Sequence, residues 1–405
     1  MKIIGKYNEA NVYASVIEEE AIKQIKGLLD CEAYKNSKIA VMPDAHAGAG
    51  CVCGLTMTIE DKVCPNLVGV DIGCGMLVVE LGKIDVDLNK LDEVCHNVIK
   101  SGQNIWDSYD YKANGLSADA SLALKESLNK IRSKVDVQRA LRSISTLGGG
   151  NHFLELDVDD EGNKYFIIHC GSRHLGLEVA KYYQSLAEKN LNNGWKRKLI
   201  VKLKAEGREK DIQSELDKHS SPSIPKDLAY VEGKSMENYL HDMEIAQDFA
   251  RANRAAIAYR IMKAMGWLSE GEIVSCWTTM HNYIDLENKV LRKSAIAAYE
   301  GEKVLIPFNM KDGSAICIGK GNKDWNCSAP HGAGRRMSRS AARKTISMED
   351  FKKDMEGIYT TCVLPETIDE APKSYKPTKV VVEDMEPTVE VVKMIKTLFN
   401  FKASS

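Results

Sequence analysis

The chain has 405 residues, 44% of them hydrophobic and 28% charged, and carries a formal net charge of −2. Such a composition is that of a soluble globular protein and excludes nucleic-acid binding through bulk charge, so any such partner must meet a local basic patch. No apolar run approaches the roughly 20 residues of a membrane span, and eleven scattered cysteines without a signal peptide predict free or metal-bound thiols in a reducing, cytoplasmic compartment.

In chain order, residues 15–29 have the apolar spacing of an amphipathic helix, and Lys38–Val41 that of a short strand delivering Pro43-Asp-Ala-His-Ala-Gly-Ala-Gly50. Apolar segments at 54–59 and 67–70 lead into Asp71-Ile-Gly-Cys-Gly75, and Met76–Leu81 is strand-like. Helical patterns occupy about 88–100 and 117–132. Thr146-Leu-Gly-Gly-Gly-Asn-His-Phe-Leu-Glu155 opens as a glycine turn and closes as a strand, and Tyr165–Ile168 is a strand ending on His169-Cys-Gly-Ser-Arg173. From about 195 to 220 the chain is densely charged with helical period, which predicts a solvated excursion. A long helix is expected from Met236 to Met265, and a strand from Glu272 to Thr279 before His281-Asn-Tyr283. Short strands near 303–307 and 314–319 precede Ser328-Ala-Pro-His-Gly-Ala-Gly-Arg-Arg-Met-Ser-Arg339, and a tail runs from Asp369 to Lys402. Short strands and helices without regular βαβ alternation favour an α+β fold. No linker or repeat is visible, and candidate residues span positions 44 to 402, so a single domain over 1–405 is expected.

His152, His169 and His281 each sit near an expected strand edge beside glycine or asparagine, and Asp71 and Cys74 share a glycine-flanked turn. Imidazole, thiolate and carboxylate are transition-metal ligands, although each histidine taken singly also fits a hydrogen-bonded core residue. Gly148-Gly149-Gly150 can bring backbone N–H groups to a phosphate or simply form a turn; it is no P-loop, since no Lys-Ser or Lys-Thr follows. Around His331, glycines permit close backbone approach while arginines supply phosphate donors. Arg336, Arg339 and Arg343 fall at helical spacing, as an RNA-facing or a merely solvated basic face.

Together these motifs resemble, in order, those of RtcB-type RNA ligases: Met42-Pro-Asp-Ala-His46, Asp71-Ile-Gly-Cys-Gly75, Leu147-Gly-Gly-Gly-Asn-His-Phe-Leu-Glu155, His169-Cys-Gly-Ser-Arg173, His281-Asn-Tyr283, His331-Gly-Ala-Gly-Arg335, Asp369-Glu-Ala-Pro-Lys373 and Lys402. The resemblance covers nearly the whole chain. It implies mixed sheets surrounded by helices, an active site in a central cleft, and a ligase that uses GTP and two manganese ions. Such a ligase joins RNA 2′,3′-cyclic phosphate or 3′-phosphate ends to 5′-hydroxyl ends, in repair or tRNA splicing. By resemblance, His331 is the nucleophile that carries GMP, and Asp71, Cys74, His152, His169 and His281 hold the metals, with Cys74 between them. Nucleotide contacts would fall on Asn151, Glu155, Asn282, Asn309, Ser314, Gly332, Ala333, Gly334, Tyr375 and Lys402. RNA contacts would fall on Arg335, Arg336, Arg339 and Arg343, and an activating protein partner is possible in such a system. Pro307–Gly313 departs from the family's small-residue loop around Asn309 and Ser314, and Ala45 stands where the family commonly has valine. Donor softness alone points to zinc or iron rather than manganese, so zinc is expected to compete. The alternatives are a metal-dependent phosphodiesterase or cyclic-phosphate hydrolase, in which His331 would be idle, and a catalytically silent RNA-binding paralogue.

Overall fold

Apolar spacing decides helix or strand in most of the molecule. In the computed structural model, which describes residues 1–218, 224–268 and 273–403 without the side chains of 192–195, 197 and 198, Ala21, Ile25, Leu28 and Leu29 form the buried stripe of helix Glu19–Leu29. Helices Leu88–Val98 and Ala118–Asn129 begin where Asp87 and Ser117 accept backbone N–H groups. The helix expected from Met236 runs Gly233–Met265 and stops at Gly266, whose φ of 85° makes a left-handed cap.

Two sheets carry the architecture, which is α+β. The first has six strands in the order Lys2–Ile4, Glu9–Val12, Ile39–His46, Cys53–Thr58, Val290–Lys293 and Asn282–Asp285, with one parallel pair, Glu9–Val12 beside Ile39–His46. The second has seven, ordered Ser275–Met280, Gly75–Gly82, Lys164–Cys170, Phe153–Val158, Val389–Lys402, Gly313–Gly319 and Lys303–Asn309, all antiparallel. Antiparallel neighbours bring the start of one strand beside the end of the next. The register pairs Met280 with Gly75, Gly75 with Cys170, His169 with Phe153, and Phe153 with Lys402. One end of this sheet therefore gathers Cys74, His152, His169, His281 and Lys402.

The charged segment after 195 is helical, as its period predicts: it is the far end of helix Arg173–Ala205, followed by Ile212–Lys218. The tail ends in a strand that the sequence pattern does not place, Val389–Lys402, which spans 14 residues inside the large sheet. One expectation changes. The basic helix begins at Arg339, where the Ser338 hydroxyl accepts from Ala341 N, so Arg336 precedes it and does not share its face. His219 and Glu272, the ends of two expected elements, lie outside the described residues. All eleven cysteines are unpaired, and among the described residues no helix is long and apolar enough to cross a membrane.

Candidate active site

At the converging strand ends, Cys74, His152 and His169 bring their donor atoms within 4.8 Å of one another, all buried. His152 Nε2 lies 3.4 Å from Cys74 Sγ and 2.9 Å from Asp71 Oδ2. His169 Nε2 lies 3.3 Å from Cys74 Sγ and 3.3 Å from His281 Nε2. All five expected ligands thus meet in one place.

The outer nitrogens explain the inner ones. His152 Nδ1 sits 2.8 Å from Leu147 O, and His169 Nδ1 3.1 Å from Asn151 O. A carbonyl can only accept, so each Nδ1 donates, and Nε2 is the nitrogen each ring can offer inward as a ligand. The two Nε2 atoms, the Cys74 sulfur and an Asp71 carboxylate oxygen can all donate electron pairs to one centre. A divalent cation at the centre satisfies that arrangement, and the sulfur, imidazole and carboxylate donor set fits a transition metal. Burial and then the neighbouring His281 hold His169 well below the usual imidazole range; burial and His331 do the same to His281. Burial also opposes charging of His152, but Cys74, Cys170 and Asp71 outweigh it and raise its pKa. Burial and Asp71 push the Cys74 thiol up to about 12, a shift that a bound cation reverses.

Helix Gly233–Met265 fixes the loops that carry these ligands. The buried Arg254 donates from Nη1 to Gly73 O and to Cys170 O, each at 2.8 Å. Asn253 Nδ2 donates to Thr146 O at 3.1 Å and Gly171 O at 3.2 Å. Gly171 has to be glycine, since a Cβ there would stand 2.2 Å from Asp71 Oδ1.

His331 follows the strand Ser328–Pro330, which pairs with Ala295–Ala297 next to His281. Its ring centroid is 4.8 Å from that of His281. Asp44, wholly buried, accepts through Oδ2 from His331 N at 3.0 Å and faces His331 Nδ1 at 2.5 Å. Asp44 lies where the strand Ile39–His46 breaks register, between Val41 and His46, a bulge of the kind that re-aims a side chain. Gly334, at φ 72°, passes so close to the Asp44 backbone that a Cβ would stand 2.1 Å from its carbonyl oxygen. With Nδ1 held by a carboxylate, His331 keeps Nε2 free and is 15% exposed.

A cleft of about 910 Å³ opens over this cluster. Asn151, Glu155, His169, Asn309, His331, Gly332, Ala333, Gly334, Arg335, Arg339, Tyr375 and Lys402 line it, over an apolar floor that includes Met76, Phe153 and Phe308. Asn282 and Ser314 do not line it. Asn282 instead supports the metal loop, donating to Asp71 O and accepting from Ser294 N. Ser314 is buried within the large sheet, and Asn309 closes its own turn with Asp312. Glu155 accepts from Asn400 Nδ2 at 2.5 Å, and burial raises its pKa.

The arginines are not a free basic face. Arg339 reaches Asp369 and Glu370, each at 2.7 Å, Arg343 reaches Asp369 at 3.1 Å, and Arg335 reaches Glu370 at 3.3 Å. Arg339 and Arg343 remain exposed despite these pairs, and Arg336, also exposed, makes no ion pair among the described residues. Sequence reasoning gave Asp44, Glu370, Asn253 and Arg254 no individual role. Asp44 and Glu370 stand inside motifs quoted from the sequence, which was the signal available for them.

The family model described as tRNA-splicing ligase RtcB matches residues 30–403. The RNA-splicing ligase RtcB of Escherichia coli (strain K12) is 29% identical over 383 residues, covering 87% of each chain. The tRNA-splicing ligase RtcB of Aeropyrum pernix is 26% identical over 455 residues, covering 91% of this chain and 89% of the relative. That of Nanoarchaeum equitans is 27% identical over 457 residues, covering 92% and 90%. The matched span contains the whole seven-stranded sheet, the Cys/His cluster and His331, and the chain belongs to the RtcB family.

Proposed function

We propose that this chain is an RNA ligase that joins a 3′-phosphate end, or a 2′,3′-cyclic phosphate end first opened by water, to a 5′-hydroxyl end at the expense of GTP. The observation that carries the reading is the Asp44–His331 pair. Asp44 Oδ2 holds both the backbone N–H and Nδ1 of His331, which leaves Nε2 as the oriented nitrogen beside the metal cluster.

Nε2 attacks the α-phosphorus of GTP, an N–P bond forms, and pyrophosphate leaves. An oxygen of the RNA 3′-phosphate then attacks the same phosphorus, and His331 departs with the bonding pair. The 5′-hydroxyl finally attacks the activated RNA phosphorus and displaces GMP. A 3′-phosphate is a poor electrophile until it carries such a leaving group, and covalent catalysis divides that difficulty.

Asp71, Cys74, His152, His169 and His281 would hold manganese ions, whose charge stabilises negative phosphate oxygens. Lys402, Arg335 and Arg339 present cationic donors to the cleft where phosphates would lie. Glu155 can accept from the paired N–H donors of a guanine edge. Arg336 and Arg343, at the exposed margin, would meet the RNA backbone. The reaction belongs to RNA repair or tRNA splicing in the cytoplasm.

The test is to incubate the protein with manganese and GTP labelled at the α-phosphate and to run a denaturing gel beside His331→Ala. The reading requires label on the wild type and none on the variant. Label on neither, with metal confirmed bound, sinks it in favour of a GTP-independent cyclic-phosphate hydrolase.

A further inference from the structure

Four cleft side chains share one carboxylate. Glu370 ends the 3₁₀ segment Pro365–Glu370 and is 2% exposed. Its Oε2 accepts from Tyr375 Oη at 2.5 Å and from Lys402 Nζ at 2.7 Å. Its Oε1 takes Arg339 Nη1 at 2.7 Å and Arg335 Nη1 at 3.3 Å. All four donors line the cleft, whereas Glu370 stands behind them.

The donors come from three separate places: the segment after His331, the loop at Tyr375, and the end of the strand Val389–Lys402. Among the described residues, Lys402 Nζ has no other hydrogen-bond partner. Its ammonium also lies 5.5 Å from the centroid of the Phe153 ring, which leaves its position to this carboxylate. Against the opposing effect of burial, Lys402 and Arg339, with the Tyr375 hydroxyl, hold Glu370 down at about 2, so it stays ionised.

A buried ion network of this size contributes little stability over a well-packed apolar core. It does fix long, flexible cations in advance of a ligand, so that they need not be ordered when it binds. Lys402, Arg335 and Arg339 outnumber the two carboxylates they meet, Glu370 and Asp369, and so leave positive charge in excess, which suits an incoming polyphosphate.

We infer that Glu370 is the positioning residue of the nucleotide pocket. It sets the places of Lys402, Tyr375 and Arg339, and through them the affinity for GTP, while the bond-making step stays with Asp44 and His331. The inference rests on the GTP-dependent reaction proposed above.

The experiment measures His331 labelling over a range of GTP concentrations for wild type, Glu370→Gln, Lys402→Met and the double variant, each first shown to be folded by circular dichroism and a thermal melt. Glu370→Gln should raise KM for GTP about ten-fold or more with the saturating rate changed by less than about three-fold. In the Lys402→Met background the same change should raise KM by a smaller factor than in the wild type, because one of the partners through which Glu370 acts is already removed. An unchanged KM, a fall in saturating rate alone, or effects that simply multiply would each overturn the inference, the last because a merely structural role predicts it. Should Glu370→Gln fail to fold, Tyr375→Phe removes one of the four donors and leaves the charge intact. It should raise KM by roughly three-fold, and no rise overturns the inference. Absence of label on the wild type refutes the proposed reaction itself. Label on the wild type with unaltered KM in the variants refutes only the role of Glu370.

Discussion

Asp44 offers the sharpest test, because two substitutions separate its charge from its shape. One oxygen, Oδ2, receives both the backbone N–H and the Nδ1–H of His331, and a carbonyl oxygen has two lone pairs. In Asp44→Asn the amide oxygen can take that place and keep the imidazole's tautomer and direction. What disappears is the charge assistance. Hydrogen bonds to charged groups contribute about 1.5–3 kcal/mol and neutral ones about 0.5–1.5, so the difference is on the order of 1–2 kcal/mol, or roughly ten-fold in rate. Asp44→Ala removes orientation as well, leaving the ring free to present the wrong nitrogen, and should slow guanylylation by about 10²–10⁴. The assay is the single-turnover rate of label transfer to His331 at saturating GTP. A full-speed Asp44→Ala refutes the positioning argument. Asp44→Asn as slow as Asp44→Ala shows that charge, and not orientation, is what Asp44 supplies.

Three further outcomes are expected. His152→Ala should lower the affinity for manganese by at least about ten-fold, read as metal retained after gel filtration by elemental analysis; retention equal to wild type would remove His152 from the ligand set. Acid should weaken the fold partly through Glu370, whose pKa is depressed from 4.5 to about 2: its contribution is complete above pH 4.5 and is lost as pH falls toward 2. That contribution is roughly 3 kcal/mol, so denaturant unfolding of Glu370→Gln should vary less between pH 5 and pH 3 than that of wild type, and an identical dependence refutes it. Replacing Arg336 and Arg343 with alanine, and leaving Arg339 in the cleft, should weaken RNA binding and reduce the salt slope by about 0.7 for each phosphate no longer neutralised, while labelling of His331 continues. An unchanged salt slope would refute an RNA-facing role for these two arginines.

Much of this was legible in the sequence where the signal is local. Gly-flanked His, Asp and Cys at strand edges marked the ligands, and regular apolar spacing marked helix Gly233–Met265. Helix Arg173–Ala205 was missed although Leu175, Val179, Ala180, Tyr183 and Ala187 make a helical stripe, all buried, because Gly171 and Ser172 before it and Gly176 within it have the character of a loop. The strand Val389–Lys402 lacks a uniform period-two pattern, because its first half alternates while its last four residues are all buried. Arg336 was placed on a helix by spacing alone, while Ser338, a residue suited to cap a helix, marks the true start. The Asp44–His331 contact spans 287 positions of chain, and the Glu370–Lys402 contact joins a turn to a strand. No local pattern encodes such meetings, because they are set by how the sheets close.

The strand Val389–Lys402 also has a consequence for the order of assembly. It stands between a four-strand group ending at Phe153–Val158 and the hairpin of Lys303–Asn309 with Gly313–Gly319. Until residue 389 onward is available, these two pieces have no shared hydrogen-bonded neighbour, and each keeps an unpaired edge that invites aberrant pairing. Its pairing with Phe153–Val158 closes a chain loop of more than two hundred residues, the kind of distant contact that slows folding. The same event that seals the edges brings Lys402 to the cleft, so a chain becomes resistant to edge-to-edge aggregation and acquires its nucleotide pocket in a single step.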